Sequence, residues 1–192
     1  MKHIHRENWY WYKDRAWPIN ANISGVYTHI LQPLLSQYIY MLEQYSKVFV
    51  YRLDIHLATY TKTNKVMTDF NRHLRKRIQR HYNIKDIAYC WVREQEKAKQ
   101  QHYHYVLMLN GHKVRHPHTI NNWIFEIANK LDLSRPSVAG YHFIRRDKSD
   151  YNEKLQNTCY HISYLAKVRG KGYRSTQTND YSTSRLKLST KN

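Results

Sequence analysis

Residues 86–110 read DIAYCWVREQEKAKQQHYHYVLMLN, and the fold is decided there. Two runs rich in β-branched and aromatic residues, 86–96 and 101–110, flank the short polar stretch Lys97-Ala98-Lys99-Gln100, which is a hairpin signal. Upstream, residues 47–57 (Val48, Phe49, Val50, Tyr51, Leu53, Ile55, Leu57) read as a strand. Residues 64–82 carry Val66, Phe70, Leu74 and Ile78 four apart and read as a helix. In residues 24–45, Ile30, Leu31, Leu34, Leu35, Tyr38, Ile39 and Leu42 recur at three and four, another amphipathic helix. Downstream, Thr119 can cap a helix through Ile120, Trp123, Ile124, Ile127 and Leu131. A strand over 138–145 and a helix over 151–168 follow. The order α, β, α, β, β, α, β, α, with a hairpin inside it, predicts an α+β domain on a mostly antiparallel sheet.

The 192 residues suit one domain, a body over 23–169 with an arm at 1–22 and a tail at 170–192. The arm holds Trp9, Tyr10, Trp11, Tyr12 and Trp17 among charges; it either packs these rings over the body or offers them to nucleobases. The tail, rich in Gly, Ser, Thr and Lys, reads as a loop and a mobile basic end. Lys and Arg number 32 against 14 Asp and Glu, a net charge of +18, which points to a polyanion partner and first of all to nucleic acid. Helix 64–82 adds a basic face with Arg72, Arg75, Lys76 and Arg80, suited to backbone phosphates. No stretch approaches the roughly 20 apolar residues of a membrane span. The N-terminus is too polar for a secretory signal, and Cys90 and Cys159 cannot build a disulfide scaffold. The expected compartment is therefore a reducing cytoplasm, with no membrane partner. A phosphate-cradling Gly-x-x-x-x-Gly-Lys-Ser/Thr motif is absent, so no fused ATPase or helicase is expected.

The chemistry concentrates in two places. His102 and His104 are alternate residues of one strand, so both imidazoles share a face, about 6.5–7 Å apart at their Cα atoms. Tyr103, Tyr105, Leu107 and Leu109 fill the other. Glu94 and Glu96 have matching parity across the hairpin. Two imidazoles and a carboxylate can hold a divalent cation and leave positions open for a phosphate oxygen. His3-Ile4-His5 and His116-Pro117-His118 repeat the spacing, but only 102–104 combines a strand, a hairpin and opposing acids.

The second place is helix 151–168. Leu155, Cys159, Ile162 and Ala166 form its buried stripe, while Tyr160, Tyr164 and Lys167 cluster on another side. A tyrosine beside a lysine and a divalent cation is a nucleophile for a phosphodiester, and positive neighbours favour its phenolate. Two tyrosines one turn apart would allow two cleavages, Tyr164 first and Tyr160 second.

In their order, the strand Tyr51-Arg52-Leu53-Asp54-Ile55-His56-Leu57, then His102-Tyr103-His104, then Tyr160-x-x-x-Tyr164-x-x-Lys167 resemble the three motifs of HUH endonucleases over residues 45–170. Trp91-Val92-Arg93-Glu94-Gln95-Glu96 and Ser163-Tyr164-Leu165-Ala166-Lys167 are similar to inovirus-type rolling-circle replication initiation proteins of filamentous phages and prophages. The resemblance implies a five-stranded antiparallel sheet flanked by helices and a Mn²⁺ or Mg²⁺ site at His102 and His104. Glu94 is its first choice of third ligand and Glu96 the reserve, while Asp54 and His56 are extra polar groups able to displace either. It further implies Tyr164 as nucleophile, Tyr160 as second tyrosine and Lys167 as the motif lysine. The implied activity is nicking of single-stranded DNA at an origin hairpin, leaving a 5′-phosphotyrosine link and a free 3′-hydroxyl. A host helicase and polymerase would then act in the bacterial cytoplasm. A transposase of the same superfamily, a non-catalytic nucleic-acid-binding module and an initiator that binds without nicking are the alternatives.

Overall fold

A computed structural model of the chain describes residues 3–95, 101–171 and 178–187. Four short strands come first. β1 (Ile4–His5) pairs with β4 (Val26–Tyr27), and β2 (Trp9–Tyr12) forms a hairpin with β3 (Arg15–Pro18). Trp17 is buried against Tyr38, with ring centroids 5.8 Å apart, whereas Trp9 and Trp11 are 53% and 71% exposed. The aromatic N-terminus is thus a hairpin that divides its rings between core and solvent, because alternate residues of a strand face opposite ways.

The body follows as α1 (Thr28–Gln44), β5 (Lys47–His56), α2 (Lys65–Tyr82), β6 (Ala88–Glu94), β7 (His102–Asn110), α3 (His118–Lys130), β8 (Ser137–Arg145) and α4 (Tyr151–Ser163). A 3-10 turn over Tyr164–Ala166 and strand β9 (Tyr181–Thr183) complete it. The sheet runs β8-β5-β7-β6-β9, every pairing antiparallel. This is the α+β architecture with a five-stranded antiparallel sheet that the sequence predicts. The alternation of β7 sorts the core into two layers. Val106 and Met108 join Val48, Val50, Cys90 and Val92 beneath α1 and α4. Tyr103, Tyr105, Leu107 and Leu109 pack with Phe49, Leu53, Phe70 and Leu74 beneath α2 and α3. Among the described residues no helix is long and apolar enough to cross a membrane.

The differences from the sequence reading sit at element ends and in short strands. The first helix starts at Thr28 rather than at 24, because Val26 and Tyr27 are taken up by pairing with β1. Thr119 does not cap α3; the helix begins one residue earlier, Pro117 holds the cap position, and no side chain caps it. The last helix stops at Ser163 and tightens into the 3-10 turn, after which Lys167 is extended and bridges Val26. Residues 181–183, read as part of a tail, are the fifth strand of the sheet, and the Ser184 amide donates to the Tyr89 carbonyl (3.0 Å) beside them. A three-residue strand among Ser, Thr and Lys carries too little periodicity to announce itself.

Candidate active site

The register of three strands builds the site. His102 of β7 lies opposite Glu94 of β6 and His56 of β5, and His104 lies opposite Val92 and Asp54. His104 sits on the α1/α4 side of the sheet, with Val106 and Met108 continuing the row into the core. Glu94 Oε2 is 3.1 Å from His104 Nε2 and 3.5 Å from His102 Nε2. One ligand atom from each of the three residues falls within 4.8 Å of the others. His104 Nε2 is buried and, despite the nearby carboxylate, makes no hydrogen bond. An orphaned imidazole nitrogen between a second imidazole and a carboxylate fits a divalent cation, since that ion satisfies all three at once.

The surrounding polar groups divide by role. Asp54 Oδ1 lies 2.5 Å from His104 Nδ1, on the other ring nitrogen from the one facing Glu94. Asp54 therefore orients the histidine and is not a member of the ligand group. Arg52 Nη2 stands 3.9 Å from the same carboxylate oxygen. His56 stacks on His102, centroids 5.2 Å apart, also outside the ligand group. Glu96, the reserve ligand, lies outside the described residues. Burial would raise the Glu94 carboxyl, but the close approach of His102 and His104 and the charge of Lys171 outweigh it and hold it well below the carboxylate range. Burial likewise pushes Asp54 up, and the bond and charge of His104 bring it below its ordinary value.

Lys171 is one of two site residues that sequence reasoning missed. Its fully buried ammonium donates to Glu94 Oε1 (2.6 Å) and to the Lys167 carbonyl. Burial draws the ammonium below its ordinary pKa and Glu94 works against that. The turn that delivers it is tight: Gly170 has φ +74°, and a Cβ there would stand 3.1 Å from Glu94 Oε2. The Gln95 amide donates to the Gly170 carbonyl (2.8 Å), tying this turn to the end of β6. Arg52 was missed too, though its parity with Asp54 and His56 along one strand was a usable signal.

Tyr164 meets the Glu94–His102–His104 group at His104. Its ring stands edge-on to His104 at 5.1 Å between centroids, with the Arg52 guanidinium 4.3 Å and Lys167 Nζ 5.4 Å from the ring centre. Burial, then Glu94, push its hydroxyl above the usual tyrosine value, and Arg52 and Arg169 offset only part of that. Positive neighbours alone therefore do not yield the phenolate. Tyr160 is placed elsewhere: 38% exposed, it accepts a hydrogen bond from Asn22 Nδ2 at 3.2 Å.

The basic helix does not converge on this site, since α2 packs on the opposite sheet face. Arg72, Arg75 and Lys76 line a groove there with Thr68, Asn71, Gln79 and Tyr89. Arg72 is paired with Asp69 (3.0 Å), the Arg75 guanidinium lies 5.7 Å from the Tyr89 ring centre, and Arg80 is exposed in the last turn.

The family model of the YagK/YfjJ C-terminal domain matches residues 16–134. The chain belongs to the YagK/YfjJ C-terminal domain family. The span matched by the YagK/YfjJ model holds β3 to α3 and therefore Asp54, Glu94, His102 and His104, and it ends ahead of the helix and turn that carry Tyr160, Tyr164 and Lys167. No curated protein and no solved structure matches the chain.

Proposed function

We propose that the protein is a metal-dependent single-stranded DNA endonuclease and strand transferase of the HUH type, with Tyr164 as its nucleophile. The observation that carries this reading is the contact of Tyr164 with His104, a member of the Glu94–His102–His104 group. Glu94, His102 and His104 would hold Mn²⁺ or Mg²⁺, and that ion would polarise the scissile phosphate and offset its developing charge. Tyr164 Oη forms a bond to phosphorus as the bond to the 3′-oxygen breaks, and the phenol proton passes in net to that oxygen. The products are a 5′-phosphotyrosine and a free 3′-hydroxyl, and no water is consumed, so the link can later be exchanged for a DNA end. Arg52 and Lys167, both on the Tyr164 ring, hold it against His104. On this reading the activity serves initiation of rolling-circle replication at an origin hairpin, with a host helicase opening the duplex and a host polymerase extending the 3′-end.

Incubation with single-stranded oligonucleotide pools and Mn²⁺, followed by denaturing electrophoresis, tests it. The expected product is a metal-dependent covalent adduct that Tyr164→Phe abolishes. Tight binding with no adduct across pools and metals would replace the proposal with a non-catalytic nucleic-acid-binding module.

A further inference from the structure

Each of the two carboxylates at the centre is already matched to a cation. Glu94 divides its oxygens: Oε2 faces the two histidines, while Oε1 receives the Lys171 ammonium at 2.6 Å. Asp54 in the same way has His104 on Oδ1 and Arg52 3.9 Å from it. Lys171 cannot easily swing away. Its Nζ is also bonded to the Lys167 carbonyl, its own amide donates to the Val168 carbonyl (3.4 Å), and the neighbouring Gly170 carbonyl is held by the Gln95 amide. Val168 in turn donates to the Gly25 carbonyl (3.1 Å), so the turn is stitched to the N-terminal segment as well.

The charge count follows. Glu94 with Lys171, and Asp54 with Arg52, sum to zero, and the two imidazoles act as neutral ligands when they bind a metal. Within these four side chains a divalent cation finds no net negative charge to offset its own, in a buried setting where uncompensated charge is costly; the buried Asp180, which also acts on Lys171, lies outside the ligand group. Lys167 on the Tyr164 ring adds still more positive charge. The deficit is one that an anionic phosphodiester supplies.

We propose that Lys171, with Arg52, keeps the ligand set electrically neutral, so that a divalent cation and a DNA phosphodiester bind this centre tightly only together. Lys171 is then a positioning and charge-setting residue acting through Glu94, and the inference rests on the metal-centre reading given above. Because coupling of two ligands is reciprocal, the factor by which the phosphodiester tightens the cation equals the factor by which the cation tightens the phosphodiester.

The test is a Mn²⁺ titration of the full chain followed by electron paramagnetic resonance, at fixed salt, with and without a saturating short oligothymidylate. Wild-type protein is expected to bind Mn²⁺ about tenfold or more tightly with the oligonucleotide, and oligonucleotide titrations with and without Mn²⁺ are expected to return the same factor. Lys171→Met should bind Mn²⁺ more tightly than wild type in the absence of DNA and lose most of the coupling, and Lys171→Arg should retain it. Equal Mn²⁺ affinity with and without oligonucleotide in the wild type overturns the inference while leaving the metal centre intact. So does Lys171→Met that binds Mn²⁺ alone no better than wild type. Absence of Mn²⁺ binding in both conditions, or binding that His102→Ala leaves unchanged, overturns the metal-centre reading and the inference with it. If Lys171→Met does not fold, Lys171→Gln, which keeps a donor for Glu94 Oε1 without the charge, takes its place with the same expected and overturning results.

Discussion

Asp54 and His104 face each other across β5 and β7 with Oδ1 and Nδ1 2.5 Å apart. On the metal-centre reading that contact divides the ring nitrogens of His104: Nδ1–H would donate to the carboxylate, and Nε2, which faces Glu94 and His102, would offer its lone pair to the ion.

Asp54→Asn should therefore weaken Mn²⁺ binding by about 10–100-fold, the usual effect of losing an outer partner of a metal-bound histidine. Asn keeps an acceptor for Nδ1 but not the charge that holds the ring. A Mn²⁺ titration of the purified variant measures it, and unchanged affinity would remove Asp54 from the centre.

Gly170→Ala puts a side chain on a backbone at φ +74° and a Cβ 3.1 Å from Glu94 Oε2. The left-handed conformation alone costs about 1–2 kcal/mol for a residue with a Cβ. Thermal unfolding should show a loss of that order, together with weaker Mn²⁺ binding as Glu94 is displaced.

The two tyrosines should separate cleanly. Tyr164→Phe is expected to abolish the covalent adduct while leaving Mn²⁺ binding intact. Tyr160, whose hydroxyl is bonded to Asn22, should be dispensable for the first strand, so Tyr160→Phe keeps the adduct and loses only a second joining step. An adduct lost in Tyr160→Phe alone would exchange their roles.

A pH effect belongs to another pair. His142 Nε2 and His161 Nδ1 are 2.9 Å apart between β8 and α4. Burial, the nearby Arg52 and His142 itself push His161 down to about 4, with Asp54 acting weakly the other way. Burial and Lys154 also lower His142. The unfolded chain, with histidines near their ordinary value of about 6.5, takes up protons before the folded one does. This contribution is thus fully present above about pH 6.5 and is lost as pH falls toward 4. Melting temperatures measured across that window should drop more steeply for the wild type than for His161→Asn.

Replacing Arg75 and Lys76 by Ala should reduce the slope of log affinity against log salt by about 0.7 for each single-strand phosphate that these cations neutralise in the wild type. Cleavage of bound DNA should continue unchanged, because α2 lies across the sheet from Tyr164. An unaltered slope would take the α2 groove out of the DNA interface.

The sheet and its helices were legible because period-two and period-3.6 patterns last for many residues in each. The same parity placed His102 and His104 together and set both Glu94 and Glu96 across the hairpin from them, without choosing between the two. What escaped was whatever depended on a single residue or a short one-off geometry. Lys171 carries no local pattern, and only the return of the chain over β6 shows its partner. A regular 100° per residue puts Tyr164 and Lys167 on one helix face, but the backbone tightens after Ser163 and the helix ends before either. Tyr164 still reaches the site, through that turn and not through the helix face.

The closing strand has a consequence for solubility. β9 covers the outer edge of β6 through the pairs Cys90–Thr183, Trp91–Ser182 and Val92–Tyr181, extended by the Arg93 amide donating to the Asp180 carbonyl (2.7 Å) and the Ser184 amide donating to the Tyr89 carbonyl (3.0 Å). If it detaches, β6 becomes an open, largely buried and apolar strand edge, the kind of template that recruits the strand of a second copy. The short strand β9 is thus the cover of that edge, and a variant lacking residues 181–187 should aggregate more than the full chain under the same conditions.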